Sequence, residues 1–363
     1  MARGLLAGGM ARLRISPFGA SLLSIASAIA ALAVAPLRVG AQQAVQVRVV
    51  VVANFDGEFQ FWKSREHLDE DVPVRGAPQV LKRNAGGLYG LLLLHDTTDL
   101  AAFILDPRYD LTKTYWLFTG ISGVDPRVAS VGSAAWARWV VAGDAMREID
   151  DRSIPQGWPY GLWAIGAAKP NQLPYDPNHF GSVTDASELS MAYPLNMRLA
   201  HWAFSLTRDV KLADNDVLAK RREAWTGFPA AQRPPFVLMG ETLGSLRYWH
   251  GDPRTRWAED WVKLWTDGKG VFVMTNMESQ LNQRIMRVFS KQGLVDPSRV
   301  MVLRTASNFS EPPPGVSPLA SMGDEEPGQM TAFDNNERAG IPVINEILAH
   351  WGRYENAVPG SDN

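Results

Sequence analysis

Residues Val45 to Val52 make an almost continuous β-branched run that ends at Ala53, Asn54 and the turn residues Asp56 and Gly57. Such a run offers water little polar face, so it suits a strand covered on both sides, as in a parallel sheet. Similar short runs recur at Gly90 to Leu94, Tyr115 to Thr119, Val128 to Val141, Phe236 to Met239, Val271 to Met274 and Val300 to Leu303. Between several of them lie segments of helical period. Glu278 to Lys291 places Leu281, Ile285, Val288 and Phe289 on one face, and Trp257 to Trp265 does the same with Trp261 and Leu264. This alternation predicts an α/β fold: one domain with a central mixed, largely parallel β-sheet flanked by helices, and ligands at the carboxyl ends of its strands.

With 363 residues, 46% of them hydrophobic, the chain has ample material for a core and is not a disordered segment. It contains no cysteine, which removes disulfides, thiolate nucleophiles, zinc ribbons and iron–sulfur clusters. Chemistry must come from carboxylates, imidazoles, hydroxyls, amides and backbone dipoles.

The N-terminus is a separate matter. Arg3, Arg12, Arg14 and Arg38 are its charges, no acid occurs before residue 42, and Phe18 to Ala35 is an Ala/Ser/Leu/Ile run. We read residues 1–41 as a signal peptide with Val39 and Ala41 at the small-residue cleavage positions, Gln42 as the new N-terminus, and Met10 as an alternative start. The competing reading is a retained membrane anchor. Cleavage would take the formal net charge from −2 to −6, which argues against a nucleic-acid surface. The implied location is periplasmic or extracellular. No second long apolar run follows, so the chain contributes at most one span and cannot form a multi-span transporter.

The rest, residues 42–352, reads as the domain, with a Pro- and Trp-rich covering loop at 152–194 and a tail at 353–363. Ser310 to Gly340 is rich in Pro, Gly and acids and is expected to be irregular. Ile341 to Trp351 returns to helical spacing.

No phosphate loop, dinucleotide fingerprint, zincin or nucleophile-elbow motif is present. His95 with Asp96 is too small a set for a metal, so no metal site is expected. Glu259 and Asp260 are helix neighbours that do not face each other. Three strand ends are more informative. Thr119-Gly120-Ile121-Ser122-Gly123 follows a strand with paired glycines, which allow a tight turn or present amides to a ligand. In Val271 to Glu278 a buried strand breaks into a helix with Asn276 as N-cap and Glu278 in its first turn. The helix dipole alone accounts for an acid there, while an ionised carboxylate also suits the vicinal hydroxyls of a ribose, with Met277 against the sugar. In Val300 to Phe309 a strand runs into Asn308, which can donate to and accept from a purine edge, and Phe309, which can stack on the ring. Asn308-Phe309-Ser310 is also a glycosylation sequon, a use that would exclude ligand contact. Glu58, at the first strand's exit, is either a turn acid or a further carboxylate near the ligand.

Leu117 to Asp150, Gly240-Glu241-Thr242-Leu243, Trp257 to Gly270, Val300 to Gly315 and Asn196 in its YPLN segment together resemble the purine nucleoside permease family. That family in turn resembles the nucleoside phosphorylase superfamily. The resemblance implies a nucleoside phosphorylase-like fold and purine nucleosides as partners. It places Ser122 and Gly123 beside the nucleoside, Met277 and Glu278 on ribose, Glu58 where nucleosidases activate water, and Asn308 where many such enzymes carry an aspartate that protonates the departing purine. An exported protein that cleaves the N-glycosidic bond is one implication; a noncatalytic nucleoside-binding component serving a separate membrane transporter is the other. No cofactor is expected beyond inorganic phosphate as a co-substrate, for which Arg83, Arg127, Arg138 and Arg304 are unranked candidates. The preferred base and assembly as a homo-oligomer stay open.

Overall fold

In the computed structural model of the chain, the described residues are 43–77, 80–94, 97–174, 191–322 and 326–360. The expected leader at 1–41, the His95-Asp96 pair and residues 175–190 of the covering segment lie outside them.

A twelve-stranded mixed sheet organises the domain. Its elements at the site are β1 (Val49–Ala53), α1 (Asp56–Arg65), β2 (Leu88–Leu92), β3 (Tyr115–Val124), β4 (Ala134–Trp136), β5 (Trp139–Ala142), β6 (Glu241–Gly244), α2 (Asp252–Trp265), β7 (Phe272–Asn276), α3 (Ser279–Ser290), β8 (Val300–Phe309) and α4 (Glu326–Ala349). Strands β2, β1, β3 and β8 are parallel neighbours, and β8 also pairs antiparallel with β4. Strand β4 bends into β5, β5 pairs with β6, β6 with β7, and β7 returns antiparallel to β3. Following the hydrogen bonds thus leads around a small closed barrel, from which β1 and β2 extend as an open wing.

The β1 run is covered on both faces, as its composition predicts. Val50 and Val52 join Trp116, Phe118, Val300 and Val302 in one apolar cluster, whereas Val49 and Val51 join Tyr115, Leu117, Met301 and Leu303 in another. Helix α3 supplies Met286 and Phe289 to the first; α1 and α4 supply Trp62, Val343, Ile344 and Ile347 to the second. Each fully buried aliphatic side chain contributes about 1.5–3 kcal/mol, so a strand with two dry faces is strongly fixed.

Three expectations change. Both β3 and β8 run on past their apolar halves, through Gly120 and Gly123 to Val124 and through Thr305 to Phe309, where turns were expected. The polar halves persist as strand because each pairs with the other, an effect that only the partner's register can provide. The second half of the supposedly irregular Ser310 to Gly340, from Glu326 on, is the front of α4. Its Asn335 donates to the carbonyls of Gly132 (2.8 Å) and Ala213 (2.9 Å), and Asn336 to Thr305 Oγ1 (3.3 Å), so its polar residues face distant strands and loops rather than water. Finally, the segment taken as a tail from 353 begins inside a short helix, Trp351–Tyr354, held by Tyr115 Oη and Arg299 on the Tyr354 carbonyl.

Candidate functional site

The carboxyl halves of β3, β7 and β8 meet the start of α1 around a cavity of about 190 Å³. Glu58, Ser122, Gly123, Met277, Glu278 and Asn308 all line it. The sequence-derived residues are therefore brought together, with one exception. Phe309 lies on the other side of its strand, fully buried and tilted against Trp225 at a centroid distance of 4.0 Å.

The β3–β8 register shifts between Ala306 and Asn308, so that Asn308 pairs with Gly123. Consecutive strand residues normally face opposite sides; a bulge lets Ser307 and Asn308 both line the cavity. Gly123 matters for close approach, since a Cβ there would stand 3.2 Å from Asn308 Nδ2 and 3.0 Å from Thr275. The Asn308 amide has a fixed sense. Ser307 Oγ donates to its Oδ1 at 2.8 Å, while its Nδ2 donates to the Phe309 carbonyl at 3.1 Å and contacts Tyr248 Oη at 3.4 Å. Asn308 is 7% exposed and Ser310 is fully buried, so the folded chain does not present the sequon to a glycosylating enzyme. Beside it, Ser122 Oγ is buried and has no hydrogen-bond partner among the described residues, an orphan hydroxyl of the kind a ligand would satisfy.

At the other end, Glu278 occupies the residue before α3, where the first turn of that helix was expected to hold it. Asn276 acts as predicted in function though not in position: its Oδ1 accepts from the amides of Glu278 (3.1 Å) and Ser279 (2.8 Å). Glu278 is itself buried, with Oε1 receiving Arg304 Nη1 at 2.5 Å and Oε2 receiving the Met277 amide at 3.1 Å. Ser279 Oγ holds the remaining guanidinium edge at 2.6 and 3.1 Å.

Glu58 completes the group. Its Oε1 accepts from the Ile121 amide at 2.7 Å and its Oε2 from the Asn54 amide at 3.3 Å. Burial, reinforced by the negative Glu278, pushes its pKa up to about 8 against the opposing pull of Arg304 and the two amides. A Cβ on Gly120 would collide with both Arg304 Nη1 and Glu58 Oε1, so glycine leaves the room in which these charges meet.

Of the four candidate arginines, only Arg304 belongs to this group. Arg83 pairs with Glu70, Arg138 with Glu241, and Arg127 with Glu311 and Asp252. A cation following the apolar Val300 to Leu303 run was a usable signal, because a charge buried in a strand requires a counter-charge. Arg247, Tyr248 and Trp249 also line the cavity, although their stretch yielded no site residue by sequence reasoning. They sit on a loop with no periodicity to reveal where it folds back.

Residues 46–359 match the family described as purine nucleoside permease. The chain belongs to that family. A probable purine nucleoside permease of Schizosaccharomyces pombe is 27% identical over 91% of this chain and 98% of its own length. A purine nucleoside permease of Candida albicans is 28% identical over 72% of this chain and 64% of its own. Solved structures similar to this purine nucleoside permease family member include a nucleosidase and a hydrolase. A 5′-methylthioadenosine/S-adenosylhomocysteine nucleosidase from Neisseria meningitidis shares 13% identity (TM-score 0.45, 83% of this chain, 99% of that one), and a futalosine hydrolase of Helicobacter pylori shares 13% (TM-score 0.48, 83% and 98%). Among the described residues, no helix is long and apolar enough to cross a membrane.

Proposed function

We propose that this chain binds purine nucleosides in the β3–β7–β8 cavity and cleaves their N-glycosidic bond. The observation that carries the reading is one buried arginine, Arg304, beside two buried carboxylates that line a single cavity with an oriented amide. An ionised carboxylate has about four acceptor positions. Glu278 uses two, on Arg304 and the Met277 amide, which leaves two for the 2′- and 3′-hydroxyls of ribose. Met277 packs against the sugar.

Cleavage passes through an oxocarbenium-like state, which buried negative charge stabilises. Glu58, once ionised, accepts a proton from the attacking water; its two amide partners fix the carboxylate plane without consuming every acceptor position. Asn308 Nδ2 donates to the departing purine, and the Ser122 hydroxyl supplies a further contact. Where inorganic phosphate replaces water, Arg304 is the cation within this group, already engaged by Glu278 and Ser279. Incubation with inosine or adenosine tests the reading. Free base with ribose indicates hydrolysis, base with ribose 1-phosphate appearing only with added phosphate indicates phosphorolysis, and no free base overturns cleavage.

A second reading, a nucleoside-binding component that passes its ligand to a separate transporter, is favoured by one observation: an amide occupies the base end of the cavity. An amide donates a hydrogen bond but cannot transfer a proton, and among the described residues Glu58 and Glu278 are the acids lining the cavity. Saturable nucleoside binding without product would support it. Export belongs to the proposal on the strength of the 1–41 leader; a mature protein beginning at Gln42 would support that part, and an intact N-terminus would sink it.

A further inference from the structure

Helix α4 carries two consecutive buried asparagines, Asn335 and Asn336, in its interior, where asparagine is a poor helix former and a buried amide is costly unless it is hydrogen-bonded. Asn336 fills every position it has. Its Oδ1 accepts from Trp62 Nε1 at 3.1 Å and from Thr119 Oγ1, and its Nδ2 donates to the Gly120 carbonyl at 3.4 Å and to Thr305 Oγ1 at 3.3 Å. The Thr305 hydroxyl accepts there because its own proton goes to the Ala332 carbonyl at 2.8 Å. One side chain thus joins α4 to α1, β3 and β8.

Its partners stand next to members of the charged group in the cavity. Trp62 lies one turn beyond Glu58 on the same face of α1. Gly120 precedes Ile121, whose amide donates to Glu58 Oε1 at 2.7 Å, and Thr305 follows Arg304. There is little slack, since a Cβ on Gly340 would stand 2.8 Å from the Trp62 ring. Asn336 itself does not line the cavity. Anchoring of a helix to its surroundings accounts for Asn335, whose Nδ2 donates to the carbonyls of Gly132 and Ala213 at 2.8 and 2.9 Å and whose Oδ1 accepts from the Ala213 amide at 2.6 Å. Neither of those partners lines the cavity. Anchoring does not account for the convergence of the second amide's partners on Glu58 and Arg304.

We propose that Asn336 is a positioning residue: through Trp62, Gly120 and Thr305 it sets the Glu58 carboxylate against the Ile121 amide and Arg304. Without the amide, α1 is free to shift against β3 and β8, and the plane of the carboxylate is no longer fixed. That this matters to turnover rests on the cleavage reading above; that Asn336 holds the geometry of Glu58 does not.

The test compares Asn336→Leu with Asn335→Leu in the whole chain, a matched loss of one buried amide each. Both are expected to lower the unfolding midpoint, so measurements are made where both are folded. The Glu58 carboxyl, followed by carboxyl-carbon NMR, should titrate above the wild-type value of about 8 in Asn336→Leu, because a loosened Ile121 amide and Arg304 favour the ionised form less. In Asn335→Leu it should titrate as in wild type. Thr305→Val keeps the side-chain shape, removes one partner of Asn336 and should raise the titration by less, which keeps the test open should Asn336→Leu fail to fold. In nucleoside cleavage, kcat of Asn336→Leu should fall roughly tenfold to a hundredfold, by more than KM rises, while Asn335→Leu keeps the wild-type kcat. A wild type that releases no free base overturns the cleavage reading alone, and the carboxyl titration still decides this one. Glu58 titrating at or below its wild-type value in both Asn336→Leu and Thr305→Val, or moved as far by Asn335→Leu, overturns the proposal.

Discussion

Arg304 Nη1 donates to Glu278 Oε1 at 2.5 Å with the arginine side chain 1% and the glutamate side chain 8% exposed. This pair fixes the cavity floor, since the carboxylate proposed to hold ribose, at the end of β7, is oriented by a cation from β8, on the far side of β3. Its worth as a stabiliser is limited, because desolvation of both ions offsets much of their attraction. Breaking it is another matter.

Arg304→Met leaves Glu278 and Glu58 as two buried carboxylates without a cation. The expected cost is about 3–5 kcal/mol at pH 7, because an uncompensated buried charge remains. Urea unfolding of the variant checks it, and the loss should shrink at acid pH, where carboxyl protonation removes the uncompensated charge. A variant as stable as wild type at neutral pH would contradict the assigned pairing.

Glu58 titrates near 8 in the folded chain against an ordinary value of 4.5. A carboxyl whose folded pKa is raised binds its proton more tightly folded than unfolded, so its contribution to stability is full below about 4.5 and is lost as pH climbs through about 8. Glu58→Gln should flatten that part of the stability profile. If Glu58 is the base, kcat/KM of wild type rises over the same upper range as the ionised form becomes populated. A slope in unfolding free energy unchanged by the substitution would count against the raised value.

Ribose recognition by Glu278 predicts a discrimination that the variant loses. Wild type should bind 2′-deoxynucleosides roughly ten- to a hundred-fold more weakly than ribonucleosides, the worth of one hydrogen bond to a charged acceptor. In Glu278→Gln the two classes should converge. Equal affinity of wild type for both would remove Glu278 from the sugar.

At the base end, Asn308→Asp restores a group able to transfer a proton. Buried beside Ser307, the new carboxyl should stay protonated, and cleavage should accelerate by about tenfold or more. The comparison is single-turnover release of free base by the two proteins. A substitution that leaves the rate unchanged would show that leaving-group protonation does not limit the reaction.

How much of this was legible beforehand differs by residue. Met277 and Glu278 were readable because a buried strand breaking into a helix leaves a local trace. Ser122 and Gly123 were found, but as a turn, when they are paired strand whose conformation depends on β8. Phe309 was read from its neighbour in sequence, and the bulge at Ser307 sent Asn308 to the cavity and Phe309 to Trp225. Tyr248, Trp249 and the front of α4 were missed, because their partners are remote in sequence.

By itself, the sequence determined the α/β class and the dry double-faced strands. Apolar periodicity is local, and burial of those faces admits few arrangements. It also determined which residue types stand at the strand ends. Only the tertiary structure decided that the sheet closes on itself and that one arginine serves Glu278 beside Glu58. Those relationships join residues from separate strands and loops, and the energy of a buried charge or amide depends on the partner that folding delivers to it.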